Sequence, residues 1–343
     1  MVAFTSKDVA RLAGVSQSTV SYVMTGKRPI SENTRLRVLA AIKELTYEPN
    51  QGARALASQR TNVVGLVVPF SSGADTGGLL PFIETIASSA RERDYEVLLV
   101  TADEGSAGLR RLAGRSLCDA IVLMDIHGRG DDRIPVAASL PVPVVLVGVP
   151  EDPMGLHCVD LDYPLAARLA VDELAATGHE RLAFISHPSE MIDRDLNFVR
   201  RFMDAALAAA DRHGLPYEVI APVEPGRAAA NEAVDQALAD RGSDRLGLVV
   251  PNSRAIQPVL HVLNARGIVP GRDVSVIGVC TDRAAEETEP PVTNVSPEPR
   301  ESSRRAMRTL FWLLDPTPAG PPPAIDLLEP RLTRRSTVMP ARC

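Results

Sequence analysis

Residues 5–25 read TSKDVARLAGVSQSTVSYVMT, and the spacing within this stretch decides the N-terminal fold. Thr5 and Asp8 form a capping pair for a first helix that runs through Val9, Ala10, Leu12 and Ala13. Gly14, which adopts positive φ at little cost, ends it. Ser16 caps a second helix, Gln17–Thr25. At a helical period its Val20, Val23 and Met24 point inward, while Gln17, Ser18, Ser21 and Tyr22 share the opposite face. A helix that only packs in a core has no need of such a face. One that lies in a DNA major groove needs donors and acceptors near its N-terminus. A third helix starts at the cap Ser31 and turns Val38, Leu39, Ile42 and Leu45 inward, which completes a three-helix head too small to do much besides bind. Pro49 interrupts it, and Asn50 caps a short fourth helix containing Ala53, Leu56 and Ala57.

Charge separates this head from the rest of the chain. Residues 1–60 carry nine Lys or Arg against four acids, whereas the remainder of the 343 residues holds 28 basic and 39 acidic side chains. A basic head on an acidic body points to a nucleic-acid partner at the N-terminus. The length suggests two or three domains, and 45% hydrophobic with 23% charged residues is a globular balance. The N-terminus lacks a basic region followed by an apolar run, and no long apolar stretch occurs, so no signal peptide or membrane span is expected. A cytoplasmic, nucleoid-associated protein follows as the expectation. Cys118, Cys158, Cys280 and Cys343 lie far apart without metal-ligand spacing and read as reduced thiols.

From residue 62 short apolar strands alternate with amphipathic helices. Strand-like runs are Val63–Val68, Val97–Val100, Ala120–Met124 and Val144–Val147, with helices such as Ile83–Arg93 between them. A second series comprises Leu182–Ile185, Tyr217–Ile220, Leu246–Val250 and Val274–Gly278. Two such series imply two doubly wound α/β lobes with parallel sheets, and ligands of such folds sit outside the C-terminal ends of the strands.

The head segments KDVARLAGVSQSTVSYVM, SENTRLRVLAAIKELTYEPN and ARAL resemble the lactose-repressor and galactose-repressor family of bacterial transcriptional regulators. The body resembles the family's effector domain, similar to periplasmic sugar-binding proteins, through VGLVVP, RDYEVLLV, VDLDYPLAARLAVDELAATGHERLAFI, GIVPGRDVSVIGV and LEPRLTRRST. The resemblance implies a helix-turn-helix DNA-binding domain over 1–49, a hinge helix and linker over 50–61, and an effector-binding and dimerisation domain over 62–343. Its N-lobe is expected at about 62–159 and 291–324, and its C-lobe at about 160–290 and 325–343. Thr5, Ser16, Gln17, Ser18, Thr19, Ser21 and Tyr22 are then DNA-binding residues, joined by Asn50, Ala53 and Arg54 of the hinge. Leu56 takes the place of the leucine wedged into the central base step, where unstacking is exchanged for a kinked duplex and more contact. The partners implied are a palindromic double-stranded operator, a second copy of the chain in a homodimer, and a small-molecule effector, sugar-derived in many members. No heptad tail follows LTRRST to tie dimers into tetramers.

The chain departs from the family pattern at informative places. Tyr22 stands where an arginine is commonest, and contact with a thymine methyl or one hydrogen bond is the reading left to it. Phe70 and the glycine-rich SSGADTGGLLPF replace an acid and an Asn-Pro-aromatic group. The stretch for an arginine three residues before Gly-Phe reads Phe198, Arg201, Phe202, with Arg194 or Arg200 as substitutes. Pro251–Asn252 replaces an Asn-Asp pair, and a Gly-Phe-Asp-Asp reads Gly278, Val279, Cys280, Thr281 with Asp282 displaced. The candidate effector site is therefore Phe70, Phe82, Asp125, Phe198, Arg200, Asn252 and Cys280, more apolar than a site for a simple sugar, or unused. A second, ligand-independent kind of regulator stays open.

No catalytic, cofactor or metal constellation is expected: six histidines are scattered, and HGRGDD over 127–132 is neither a phosphate loop nor a catalytic spacing. In TGHER, Gly178 ends a helix and His179 packs at its end. A transport-type solute-binding protein of the same body fold leaves the head unexplained.

Overall fold

The computed structural model describes residues 4–25, 28–47, 60–70, 76–222, 226–239, 242, 244–318 and 320–340. The chain divides into two compact units, Met1–Asn62 and Val63–Cys343.

In the first unit α1 (Ser6–Ala13), α2 (Gln17–Thr25) and α3 (Glu32–Glu44) enclose a small core. The Asp8 carboxylate accepts from both the N–H (2.9 Å) and the hydroxyl (2.7 Å) of Thr5, and these bonds hold its pKa below the ordinary carboxylate range. Gly14 closes α1 at φ 61°, a left-handed cap that favours glycine. Val9, Ala10, Ala13, Val20, Val38 and Ala41 are buried, with Val23, Met24, Ile42 and Leu45 packed on them. Leu39, expected inside, is 45% exposed. Val38, Ala41, Ile42 and Leu45 already form the i, i+3, i+4, i+7 face, and Leu39 lies a step around the helix from it. The hinge residues Asn50, Ala53, Arg54 and Leu56 lie outside the described residues.

The second unit holds two six-stranded sheets. The first contains β1 (Val63–Val68), β2 (Glu96–Thr101), β3 (Ala120–Leu123), β4 (Val144–Val147), β5 (His157–Leu161) and β11 (Ile325–Leu328), in the order β11-β5-β4-β3-β1-β2, all parallel. The second contains β6 (Arg181–Ile185), β7 (Tyr217–Ile220), β8 (Leu246–Val250), β9 (Ser275–Val279), β10 (Thr293–Val295) and β12 (Leu332–Thr333), in the order β12-β10-β9-β8-β6-β7, with β12 antiparallel to β10. Every residue of the inner strands β8 and β9 is buried, as expected where helices cover both faces.

The chain crosses between lobes after β5, after β10 and after β11. The lobe boundaries expected at 290/291 and 324/325 are therefore displaced. β10 hydrogen-bonds to β9 in the second lobe, and β11 to β5 in the first. The helix expected over Ile83–Arg93 is longer at its start, because it already begins at Thr76 within the glycine-rich stretch and continues to Arg91. Pro81 is tolerated near its start, and the Thr85 hydroxyl donates to the Pro81 carbonyl (2.8 Å). His179 is buried at the end of the helix Tyr163–Ala176, its Nδ1 2.8 Å from the Leu174 carbonyl. That carbonyl only accepts, so Nδ1 carries the proton and Nε2 accepts from the Ser275 hydroxyl at 2.7 Å.

Candidate functional site

The outward face of α2 is polar and largely exposed. Gln17, Ser18 and Ser21 are exposed and Tyr22 and Thr19 half-buried. Ser16 fixes the start of the helix: Thr19 N–H donates to Ser16 Oγ at 3.1 Å, and the Ser18 and Thr19 hydroxyls lie 2.8 Å from the same oxygen. Gln17 Nε2 donates to Ser6 Oγ at 2.7 Å, which ties α2 to α1. Thr5, Ser16, Gln17, Ser18, Thr19, Ser21 and Tyr22 thus belong to two helix starts and one helix face. The Arg28 guanidinium lies over the Tyr22 ring, 5.7 Å from its centroid.

The body has a cleft of about 540 Å³ at the C-terminal ends of strands from both sheets, a size suited to a small molecule. Of the seven candidate residues, Phe82, Asp125, Phe198, Asn252 and Cys280 line it. Phe82 comes from the helix Thr76–Arg91, Asp125 from the end of β3, and Phe198 from the first turn of the helix Asn197–His213. Asn252 caps the helix Ser253–Ala265, where its Oδ1 accepts from Arg254 N–H at 3.2 Å, and Cys280 follows β9. Phe70 and Arg200 are corrections. Phe70 is 43% exposed and outside the lining, and the Arg200 guanidinium instead lies against Gly128 and Asp195.

Arg194 lines the cleft in place of Arg200 and pairs with Asp125. It stands three residues before Asn197–Phe198, so the signal was present in the sequence one turn earlier than Phe202 suggests. Asp125 has φ 60°, and Arg133 braces it there by donating to the carbonyls of Met124 (3.3 Å) and Asp125. Arg133 and Asp131 are themselves a buried bidentate pair, at 2.9 and 2.7 Å. Burial acts to raise the Asp131 carboxyl, but the hydrogen bonds and charge of Arg133 outweigh it and hold the group below its ordinary range.

Sequence reasoning missed Asp160, Tyr163, His187 and Asn197, all of which line the cleft. Asp160 is the penultimate residue of β5 and binds Arg201 across the lobes at 2.6 Å. Burial pushes its carboxyl up to about 7 against the opposing pull of that arginine, and burial likewise raises the Tyr163 phenol. Tyr163 and Phe198 stand 5.6 Å apart, and the His187 ring meets Phe198 edge-on at 5.6 Å, so aromatic surface dominates this wall. Asn197 Nδ2 donates to the Val149 carbonyl at 3.0 Å. The Cys280 thiol is pushed up to about 12 by burial and stays protonated and inert. What the arrangement offers a ligand is mostly rings and thioethers, with Asp125 and Asp160 already engaged by arginines and Glu190, Asn252, Ser253 and Thr281 as further polar groups. Such a site binds and orients. Among the described residues no group of three His, Cys, Asp or Glu side chains is placed to hold a metal ion, and no helix is long and apolar enough to cross a membrane.

Comparison with known proteins gives matches over nearly the whole chain. Residues 5–50 match the family model described as "Bacterial regulatory proteins, lacI family", and residues 171–338 match "Periplasmic binding protein-like domain". The HTH-type transcriptional regulator CelR of Thermobifida fusca is 33% identical over 331 residues, covering 88% of this chain and 89% of that protein. The HTH-type transcriptional regulator GalR of Escherichia coli (strain K12) is 30% identical over 342 residues, covering 97% and 95%. Among solved structures, a lac repressor dimer bound to operator and the anti-inducer ONPF gives a TM-score of 0.81 at 21% identity, over 98% of this chain and 100% of that one. That likeness is one of fold. A CelR–cellobiose complex gives a TM-score of 0.64 at 26% identity, over 97% and 99%.

Proposed function

Because the chain belongs to the LacI family of bacterial regulatory proteins, we propose that it is a repressor that binds a palindromic operator as a homodimer and is modulated by a small molecule between its lobes. It is a DNA-binding transcriptional regulator and not an enzyme. The observation that carries the finer reading is the cleft, where side chains from both lobes converge at the C-terminal ends of the strands. A ligand held there contacts both lobes and so has the means to bias their arrangement.

A single head reads few bases, so useful affinity calls for two heads on a two-fold symmetric site. Exposed Leu80 and the exposed Leu99 on the edge strand β2 support a partner surface on the first lobe. In the operator complex α2 presents Gln17, Ser18 and Ser21 to base edges, and Leu56 enters the central step by its place in the motif. The protein acts at the nucleoid in the cytoplasm.

CelR has been captured with cellobiose, which makes a disaccharide the first compound to test here. The engaged carboxylates and the ring-lined wall favour a ligand with a broad apolar face. The same engagement supports the second reading, a regulator without ligand control. The deciding experiment selects bound sequences from genomic DNA with the full-length protein, then titrates cellobiose and a metabolite set into the complex. A two-fold symmetric consensus and a change in DNA affinity of about 5- to 150-fold with one compound are expected. No compound altering DNA affinity or melting temperature leaves the ligand-independent regulator, and no preference for any palindrome at physiological salt rejects the proposal outright.

A further inference from the structure

The outward face of α2 carries no positive charge, yet the base edge most readily gripped in a major groove is that of guanine, whose N7 and O6 accept a pair of hydrogen bonds from one guanidinium. Arg28 stands where it can supply one. It is exposed, and its guanidinium carbon lies 5.7 Å from the centroid of the Tyr22 ring on that face. The ring quadrupole attracts the cation there while leaving the N–H edges of the guanidinium open. No carboxylate engages Arg28 among the described residues, whereas Arg11 of the same head is paired with Asp8. A second observation bears on its aim. Arg28 precedes Pro29, and a residue before proline is kept out of the helical region, so the backbone that carries the side chain is restricted before any DNA is met.

We propose that Arg28, laid on the Tyr22 ring, reads a guanine in each half-site by donating to N7 and O6, and that Tyr22 acts as its platform. This rests on α2 being the recognition helix. Tyr22 then serves specificity through its ring face, and its hydroxyl is dispensable. Lysine at position 28 keeps the charge but lacks the planar fork that matches the two acceptors.

The test uses the full-length protein and a random double-stranded library to define a preferred palindrome, then measures Kd by fluorescence anisotropy for every single-base variant of the half-site. Arg28→Ala is expected to erase discrimination at one G·C pair per half-site, a loss of about 5- to 150-fold in preference there, with other positions unchanged. Tyr22→Phe retains it and Tyr22→Ala loses it at the same position. The double variant Arg28→Ala/Tyr22→Ala is no worse than either alone. Arg28→Lys keeps overall affinity and loses the preference. A uniform loss across all sequences, with the salt dependence reduced by about 0.9 in slope for each phosphate contact removed, makes Arg28 a backbone contact and overturns the proposal, as does no change at all. Gln17→Ala and Ser18→Ala are measured in parallel. If these also leave every base preference intact, the assignment of α2 itself fails, and if they alter preference while Arg28→Ala does not, only the role of Arg28 fails.

Discussion

At Asp160 burial and charge act in opposite directions, and the balance has a consequence for pH. Burial raises the carboxyl to about 7 although Arg201 lies 2.6 Å away. An unfolded chain ionises this group near pH 4, so the folded state binds the extra proton between about pH 4 and 7. The stability this contributes is fully present below about pH 4 and is lost as pH rises through about 7, a component of at most about 4 kcal/mol. Asp160→Asn is expected to flatten the fall in melting temperature between pH 5 and 8, read by calorimetry on wild type and variant. An identical slope in the two proteins contradicts the assignment. Single residues were legible in the sequence where their type also served local structure, as with Asn252 at a helix cap and Asp125 just past a strand. Arg200 and Phe70 were not, because direction around a helix and exposure of a loop depend on the other lobe. Arg200 finds Gly128 and Asp195, two segments no spacing rule connects.

The elements differ in how much of their stability they hold locally. Among its described residues the head buries only Val9, Ala10, Ala13, Val20, Val38 and Ala41, so each methyl in it counts. Val20→Ala is expected to cost about 2 kcal/mol and to lower the melting temperature of the head by about 8–16 °C. The transition of the body stays in place, since Val63–Cys343 has cores of its own. Differential scanning calorimetry of the full chain checks this, and both transitions shifting together speaks against separate units. The same contrast governs which elements the sequence announces. Continuous apolar runs such as β1, β4 and β8 are buried on both faces and read directly. β11 has Ile325 and Leu327 exposed, follows a proline-rich stretch, and pairs with β5 over a long separation in sequence, so no local pattern marks it. β10 and β12 span Thr293–Val295 and Leu332–Thr333, too short for a period to show. These are the strands next to the lobe crossings, which is why the expected lobe boundaries moved while the two-sheet architecture was readable from the alternation of strands and helices.

Across the body as a whole, the lobes are stitched on one side of the cleft by contacts that covalent connectivity does not require. Gly128 N–H donates to the Asp195 carbonyl at 2.6 Å, Arg129 N–H to the Asp195 carboxylate at 2.8 Å, and Asn197 N–H to the Ile126 carbonyl at 3.0 Å. The ion pairs Asp125–Arg194 and Asp160–Arg201 flank this bridge. All are polar contacts beside the cleft, each worth about 1 kcal/mol net, so together they favour the bridged, closed arrangement and leave it weak enough for a ligand to bias. Asp195 is the member best suited to test this, because it accepts from two adjacent backbone N–H groups of the other lobe, Gly128 through its carbonyl and Arg129 through its carboxylate, and does not line the cleft, so substitution removes the second bond alone. Asp195→Ala is expected to speed amide exchange at Arg129, to increase the radius of gyration in solution scattering, and to weaken a ligand that needs the closed lobes by up to about tenfold, as the closed fraction falls. Unchanged exchange at Arg129 means that the clasp does not hold the lobes. Ligand control then has to act through the crossings after β5, β10 and β11 rather than through closure.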